Sequence, residues 1–576
     1  MRSGTYEILM GGAMRHYNRT GLKLGLIIAA LMVTACGSND STSPQGAPGV
    51  VATPQPPTVM TTALYQADAN VPLSDDFRLE AKGSPPLTWE LAGGALPSGI
   101  ALQASGALVG VPTQEGQFRF TARVTGPGGS AHREFSLTIL GRTHRVSVVS
   151  ATSTSNPLGE ANGPSGEHAR SFDPGISGTG RFVVFDSLAG NLVPGINTQG
   201  IRQVYLHDRQ TGMTELISVD SAGIPGNDAS FVAAVTDDGN VVVFDSFASN
   251  LVSNDTNSAR DVFLRDRKAG TTQRISQFVN GTQGTCTAPN PLDCNSSDPA
   301  ISADGSIVVF SSFSQLTVED SDTMHDVFVL DRTGPSPSLK RISRGVNGTP
   351  SNGLSGSPAV SADGRFVAFS SEATNLIPGD TSDPYSDIFV FDVHADTLRK
   401  ASVIAGGVAP DGASFGPSIS GDGRFVAFWS EASNLLSDGN GVSDIFVADM
   451  QDVPASLKMV VNLQEQQGNG ESRFPSISRD GRIIAFDSLA TNLDPTPGNG
   501  VRDILVLDRS CSSTFNAGLC TLERVSKASN ESPSNNESRF PALSGDGRFV
   551  VFYSDATNLV TAGDNNGYRD AFVRRR

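Results

Sequence analysis

The chain has 576 residues, which at about 150 residues per domain allows roughly four domains unless a repeat fold absorbs the length. Its 42 basic and 59 acidic side chains give a formal charge of −17, a field that repels phosphate backbones and makes nucleic acid an unfit partner. Seven His and five Cys leave little material for a His/Cys metal centre, while 61 Gly and 33 Pro among recurring Val/Ile/Phe runs indicate a turn-rich but folded protein.

Residues 1–36 read as an export signal, and Met14 opens a better one than Met1. Arg15, Arg19 and Lys23 form a basic start, and Leu24 to Val33 is an apolar stretch too short to span a bilayer as a mature helix. It ends in Val33-Thr34-Ala35-Cys36, which resembles the lipobox of bacterial lipoproteins. The resemblance implies lipidation of Cys36, a chain held to the membrane through that anchor alone, and, with Gly rather than Asp at position 37, an outer-membrane address in the cell envelope. An ordinary secretory signal with an unrelated Cys is the other reading. Cys286 and Cys294 lie eight apart and Cys511 and Cys520 nine apart; in an oxidising compartment they read as two local disulfides, with four reduced thiols as the alternative.

Residues 37–56 are Ser/Pro-rich and aperiodic, as expected of a flexible tether. Residues 57–141 carry short alternating runs at Leu87–Leu91, Ala107–Val111, Gln117–Val124 and Arg133–Ile139, separated by Gly/Pro/Ser turns, the pattern of a small antiparallel sandwich. The marks Pro85-Pro86, Trp89, Leu96-Pro97-Ser98-Gly99, Ser105-Gly106, Gly110-Val111-Pro112 and Gly116 resemble the He_PIG Ig-like family of bacterial surface proteins. Trp89 reads as core rather than as a sugar platform.

From residue 142 to 576 the chain repeats. A small turn followed by an apolar strand places Gly at 180, 239, 305, 364, 423, 481 and 547, at intervals of 59, 66, 59, 59, 58 and 66; the Cys-bracketed loops lie in the two long intervals. Each unit carries four strand signals, in the fourth unit a strand ending in Pro358–Ser361 (a), then Arg365–Phe369 (b), Asp387–Phe391 (c) and Leu398–Ser402 (d), with an Asp-Gly hairpin turn between a and b. Four antiparallel strands repeated seven times predict a seven-bladed β-propeller, so the whole chain reads as all-β: an Ig-like sandwich, then the propeller. The seventh unit lacks strand d, and the orphan His144-Arg145-Val146-Ser147 matches it, so an N-terminal strand is expected to close the ring and remove the open sheet edge. Ser361-Ala362-Asp363-Gly364-Arg365…Phe369-Ser370-Ser371 and Asp387-Ile388-Phe389-Val390…Asp392 resemble the PD40, or WD40-like, repeat of TolB-type propellers. The preceding Ig-like unit departs from TolB, which puts TolB's own partners in doubt.

The b–c loops are acidic. Asp255/Asn257/Asp261, Asp320/Asp322/Asp326, Asp438/Asn440/Asp444 and Asp564/Asn566/Asp570 share positions 1, 3 and 7; blade 4 has a variant, Asp380…Asp387, and blades 1 and 6 lose acidic members. Oxygen ligands in that spacing suit calcium, the only cofactor the sequence suggests, whereas Asx turns capping their own backbone need no metal. Loops b–c and d–a emerge on one face, which also carries the Cys286–Cys294 insertion. Gly412-Ala413-Ser414-Phe415-Gly416 has the GxSxG form but sits in repeat consensus, without the strand–turn–helix setting a nucleophile needs. His325, beside Asp326, is the one acid–base candidate, against a plain surface His. The recurring Arg181, Arg365, Arg424, Arg482 and Arg548, and Asp-Arg pairs such as Asp266-Arg267, read as structural. The leading expectation is a non-catalytic envelope lipoprotein that displays a propeller to a protein or glycan. The alternatives are a propeller lyase or hydrolase acting on envelope or extracellular carbohydrate or peptide, and a calcium-stabilised adhesion protein.

Overall fold

A computed structural model describes residues 53–150, 159–166, 174–284, 294–320, 324–380, 385–404, 408–436, 438–462, 464–494, 500–510, 521–560 and 564–576. Apart from a 3-10 turn at Val346–Gly348, the named elements among them are strands. Cys36, Cys286, Cys511, Cys520 and Asp322 lie outside the described residues.

The first unit is a small sandwich. Gly129–Leu140 pairs with Gly116–Gly126, which pairs with Thr88–Gly94, and Ala67–Asp68 adds in parallel at the far edge. Alternate residues of the long strands, Phe120, Ala122, Val124 and Phe135, Leu137, Ile139, face one core that also holds Leu79 and Leu108. Trp89 is 5% exposed within it, as expected of a packing residue.

Seven four-stranded antiparallel sheets follow, and six of them run in sequence order a-b-c-d. The seventh takes its fourth strand from Thr143–Arg145, paired with the last strand, Asp570–Arg575, so the predicted closure is present. Strands b and c are apolar along their length because each blade is sandwiched between two others: Phe366–Ser371 and Asp387–Asp392 are almost entirely buried. Their registers set an aromatic pair across the two strands, Phe369 on Phe389 at 5.9 Å, and the same pair recurs as Phe244–Phe263, Phe310–Phe328, Phe428–Phe446 and Phe552–Phe572.

Element bounds differ slightly from expectation, for local reasons. Strand b begins at Phe366 because Arg365 stays in the turn, its N–H bonded to Asp363 and its guanidinium to Asp392. Strand d ends at Lys400 because the Ser402 hydroxyl leaves the ladder to accept from Ile388 N and donate to Asp387. Strand a runs from Ser355 to Val360, so that its end falls within the stretch expected, and carries a bulge between Gly356 and Ala359.

The turn glycine links blades. Gly423 sits at φ +72°, and a Cβ there would lie 2.1 Å from the Phe366 ring of the preceding blade; Gly180 meets Phe549, Gly239 meets Phe182 and Gly481 meets Phe425 in the same way. Arginines at the end of strand c complete the joint. Arg267 Nη1 donates to Gly239 O at 2.5 Å with its guanidinium over Phe182, and Arg509 donates to Gly481 O at 2.8 Å over Phe425. Gly423→Ala therefore meets both a left-handed backbone, at about 1–2 kcal/mol, and a filled neighbour. Urea unfolding should show a loss of more than about 2 kcal/mol, whereas Gly441→Ala, with nothing within 4 Å, should lose only the backbone contribution.

Candidate functional site

The two ends of the central channel are built differently. At the a–b turns the residue two before the turn glycine is Gly178, Asp237, Ala303, Ala362, Gly421, Arg479 and Gly545 in blades 1 to 7. The backbone there forms a ring of bonds from blade to blade: Asp237 N to Ala303 O, Ala303 N to Ala362 O, Asp363 N to Gly421 O, Gly421 N to Arg479 O, Arg479 N to Gly545 O and Asp546 N to Gly178 O, at 2.9 to 3.4 Å. The Asp237 carboxylate completes it by accepting from Gly178 N at 2.9 Å. Arg479 then reaches across from blade 6 to clasp Asp237 of blade 2, Nη1 to Oδ2 at 2.6 Å. Gly178 and Gly545 make room for it, since a Cβ on either would lie 2.6 Å from the guanidinium or its stem. Inside this lid lies a cavity of about 240 Å³ whose apolar wall takes Ile176, Val235, Ile301, Val360, Ile419, Ile477 and Leu543, one from each blade.

The Ig-like unit packs on this closed face. Gln66 N donates to Gln210 O at 2.6 Å, Arg209 pairs with Asp68 at 3.2 Å, and Arg575 donates to Ala69 O at 2.7 Å. The face carrying the b–c and d–a loops is left for other contacts.

At that second mouth the repeat breaks down. The fifth residue of strand b is Asp186, Asp245, Ser311, Ser370, Trp429, Asp487 and Tyr553 in blades 1 to 7, between positions that hardly vary. The third residue of strand a is held at positive φ in five blades, at Asp298, Ser357, Gly416, Phe474 and Phe540. A non-glycine residue there costs about 1–3 kcal/mol, a strain that typically marks functional positions. On blades 5 to 7 these residues make an aromatic wall. Trp429 lies 4.7 Å from Phe415 and 6.2 Å from Phe474, Phe474 lies 4.9 Å from Phe540, and the Arg473 guanidinium sits 4.9 Å over Trp429. Arg473 also faces Glu431 and Glu471 at 3.7 and 3.6 Å. Phe415, Trp429 and Phe474 are half-buried, so part of this wall meets solvent.

On blades 2 and 3 the wall is ionisable. Arg260 lies 3.5 Å from Asp245, and Asp298 N donates to Asp245 at 3.3 Å. Burial outweighs these partners and pushes the Asp245 carboxyl up to about 7. His325 is not a plain surface residue: its ring packs 4.3 Å from Phe313, and burial lowers it to about 4, so it is neutral near pH 7. Ser414 is 0% exposed and its hydroxyl bonds Ser430 at 2.9 Å. The equivalent serine pair recurs in five other blades, which makes the GxSxG string a structural feature.

The acidic loops are held by cations of the chain itself. In blade 2, Arg274 Nη1 lies 3.2 Å from Asp255 and 3.6 Å from Asp261; in blade 3, Arg341 lies 3.2 Å from Asp320 and 3.1 Å from Asp326; in blade 7, Arg145 of the closing strand lies 3.3 Å from Asp564 and 3.0 Å from Asp570. Lys400 does the same for Asp380 and Asp387. The asparagines do not point free oxygens at a metal. Asn257, Asn440 and Asn566 each donate to the last Asp, and their Oδ1 atoms accept from Ala259, Val442 and Tyr568 N in Asx turns. A metal in blades 2, 3 or 7 would have to displace an arginine. Among the described residues no three His, Cys, Asp or Glu side chains form a metal-holding group.

Residues 47–140 match the family model described as Putative Ig domain. No curated protein matches the sequence. Among solved structures, a putative TolB from Agrobacterium tumefaciens is similar at 15% identity and a TM-score of 0.32, covering 63% of this chain and 94% of its own. One of two prolyl endopeptidases analysed for inter-domain dynamics is similar at 11% and 0.39, and a Mycobacterium tuberculosis puromycin-hydrolysing peptidase at 14% and 0.39. This chain covers 55% and 53% of those two peptidase chains, which cover 82% and 71% of it.

Asp245 gives the second mouth a measurable pH signature. Its carboxyl near 7 stands above an unfolded value near 4. The folded protein thus holds an extra proton between these limits, and its stability falls as pH rises through that window. The stability of Asp245→Asn relative to the parent should therefore rise between about pH 5 and about pH 8 in urea unfolding.

Proposed function

We propose that the protein is a non-catalytic cell-envelope lipoprotein that displays its propeller to a protein or glycan at the mouth formed by the b–c and d–a loops. One observation carries this reading. The channel is latched at one end by Arg479 and Asp237 and is flanked there by the Ig-like unit, while the other end gathers Trp429, Phe415 and Phe474 at positions that depart from the repeat. Half-exposed aromatic faces next to Arg473, Glu431 and Glu471 offer stacking surfaces and hydrogen-bonding groups together, the mixture found at binding hot spots.

In this reading Cys36 carries the lipid anchor and holds the chain at the outer membrane of the envelope. Residues 37–56 give reach, and the Ig-like unit lifts the propeller. The cysteine pairs Cys286–Cys294 and Cys511–Cys520 close local disulfides in the oxidising envelope.

The chain from Gly37, immobilised and exposed to an array of envelope glycans and to solubilised envelope proteins, should give saturable binding. Trp429→Ala should weaken it at least about ten-fold, the scale of a hot-spot aromatic. Binding unchanged by Trp429→Ala would move the site elsewhere, and turnover of a glycan or peptide during the incubation would overturn the non-catalytic reading.

A further inference from the structure

The joints between blades repeat one arrangement, and the joint between blades 4 and 5 lacks a part of it. The residue after strand c is Arg209, Arg267, Arg332, Arg509 and Arg576 in blades 1, 2, 3, 6 and 7, but Val393 in blade 4 and Met450 in blade 5. Each of the five arginines donates to the carbonyl of its own blade's turn glycine, at 2.5 to 3.2 Å. Where strand b of the preceding blade begins with Phe, two guanidinium groups lie over the ring. Arg181 and Arg267 stand 4.7 and 5.7 Å from Phe182, Arg424 and Arg509 both 4.6 Å from Phe425, and Arg548 and Arg209 5.7 and 4.1 Å from Phe549. Phe366, at the joint of blades 4 and 5, has Arg365 alone among the described residues, at 4.7 Å.

The joint of blades 3 and 4 loses both halves together, with Val393 for the arginine and Ile307 for the ring. The joint of blades 4 and 5 keeps the ring and loses the cation. Among the described residues nothing donates to Gly423 O, the carbonyl that the arginine would meet. Gly423 and Phe366 instead line a cavity of about 310 Å³, whose wall also takes Arg365, Asp392, Asp422 and Met450. Met450 brings neither a charge nor a donor. The basic neighbours do not bar a cation, because each is already answered. Arg365 pairs with Asp392 at 2.7 Å, Arg424 pairs with Asp449 at 2.8 Å, and Arg399 donates to Met450 O and Asp452 O, both at 2.6 Å. The joint of blades 5 and 6 has Lys458 at the strand-d register that Arg399 takes here, and it still holds Arg509. Asp422, exposed at the rim, makes no ion pair among the described residues.

We propose that the joint of blades 4 and 5 takes an arginine side chain presented by a protein partner, its guanidinium stacked on Phe366 and donating to Gly423 O. The chain's own arginines identify the group: Arg509 makes this pair of contacts one joint further on, and Arg267 and Arg209 make it at two others. A guanidinium meets a carbonyl at its edge and a ring at its face at once, which an ammonium does less well. The formal charge of −17 favours the approach of a basic partner. The site lies at the a–b turns, the opposite end of the strands from the b–c and d–a loops, so it does not rest on partner binding at that mouth. One stacked and hydrogen-bonded cation supports a Kd of about 1 mM, and the remainder of a partner's surface would add to it.

The test is saturation-transfer NMR titration of the chain from Gly37 with the peptide acetyl-Gly-Arg-Gly-amide. The parent protein should bind it saturably. The same peptide with citrulline for arginine keeps the shape without the charge and should bind at least about ten-fold more weakly. Phe366→Ile, which carries the residue that blades 3 and 6 have at this position, removes the ring and should weaken binding at least about three-fold. Met450→Arg restores the repeat's own arrangement; it fills the slot and should bind no peptide. If Met450→Arg does not fold, Phe366→Ile still decides. No saturable binding up to about 10 mM peptide overturns the proposal. So does equal binding of the citrulline peptide, or binding that neither Phe366→Ile nor a folded Met450→Arg reduces, because the peptide would then lie elsewhere on the acidic surface.

Discussion

The fold depends on one contact, repeated at six of the seven joints of the ring: the turn glycine of a blade lying flat against the first strand-b side chain of the blade before it, with Gly305 meeting Thr236 at the other joint. Gly423 on Phe366 and Gly481 on Phe425 leave no space for a Cβ, and the positive φ that makes the turn is the same feature that brings the backbone close. The contact fixes blade spacing, and blade spacing fixes everything at the axis. Only at that spacing do the a–b turns pass a hydrogen bond from each blade to the next, and only then can Arg479 reach Asp237 across the opening. The strand-c arginines, with a donor on the turn carbonyl and a face on the neighbouring ring, hold the joint from its outer side.

A rigid ring with one latched end divides the work between its faces. The closed face contacts the Ig-like unit through main-chain and charged groups, Gln66, Asp68 and Ala69 against Gln210, Arg209 and Arg575. The open face keeps the variable residues. Strained bulges at Phe474 and Phe540 are tolerated because the flanking strands are fully paired, and they turn large side chains toward the mouth where a regular strand would alternate them away. The result is asymmetry inside a symmetric frame, aromatic on blades 5 to 7 and ionisable on blades 2 and 3.

Much of this was legible because a repeat reports its own rules. The Asp-Gly turn, the apolar b and c strands and the His144–Ser147 orphan could be read from residue type and interval alone, since each is a local pattern copied seven times. The acidic loops were harder. Asp255 to Asp261 shows carboxylates in a row, but the group that answers them, Arg274, lies on the next strand, and only the hairpin register brings it there. The signal was present all the same: wherever the strand-c Asp is missing, as at Gln203, the strand-d cation is missing too, at Leu216. Trp429 was hidden for the opposite reason. It occupies a strand position that looks like core, and only comparison of the seven copies reveals that this position takes Asp, Ser, Trp or Tyr between a Phe and a Ser that never change. Asp237 and Arg479 stand 242 residues apart, and nothing local predicts their meeting.

Ring closure by Thr143–Arg145 on Asp570–Arg575 has a consequence for how the molecule comes into being. The strand translated before any blade is the last to find its partner, because that partner lies at the far end of the repeat array. Until then the last blade presents strand c as an unpaired edge, Arg145 lacks Asp570, and Arg574 lacks the Thr143 hydroxyl. Neighbouring blades can assemble as they emerge, but the final joint spans more than four hundred residues of chain. Maturation of such a ring is governed by a single late, non-local event. During that interval the growing array is most exposed to edge-to-edge association with other chains.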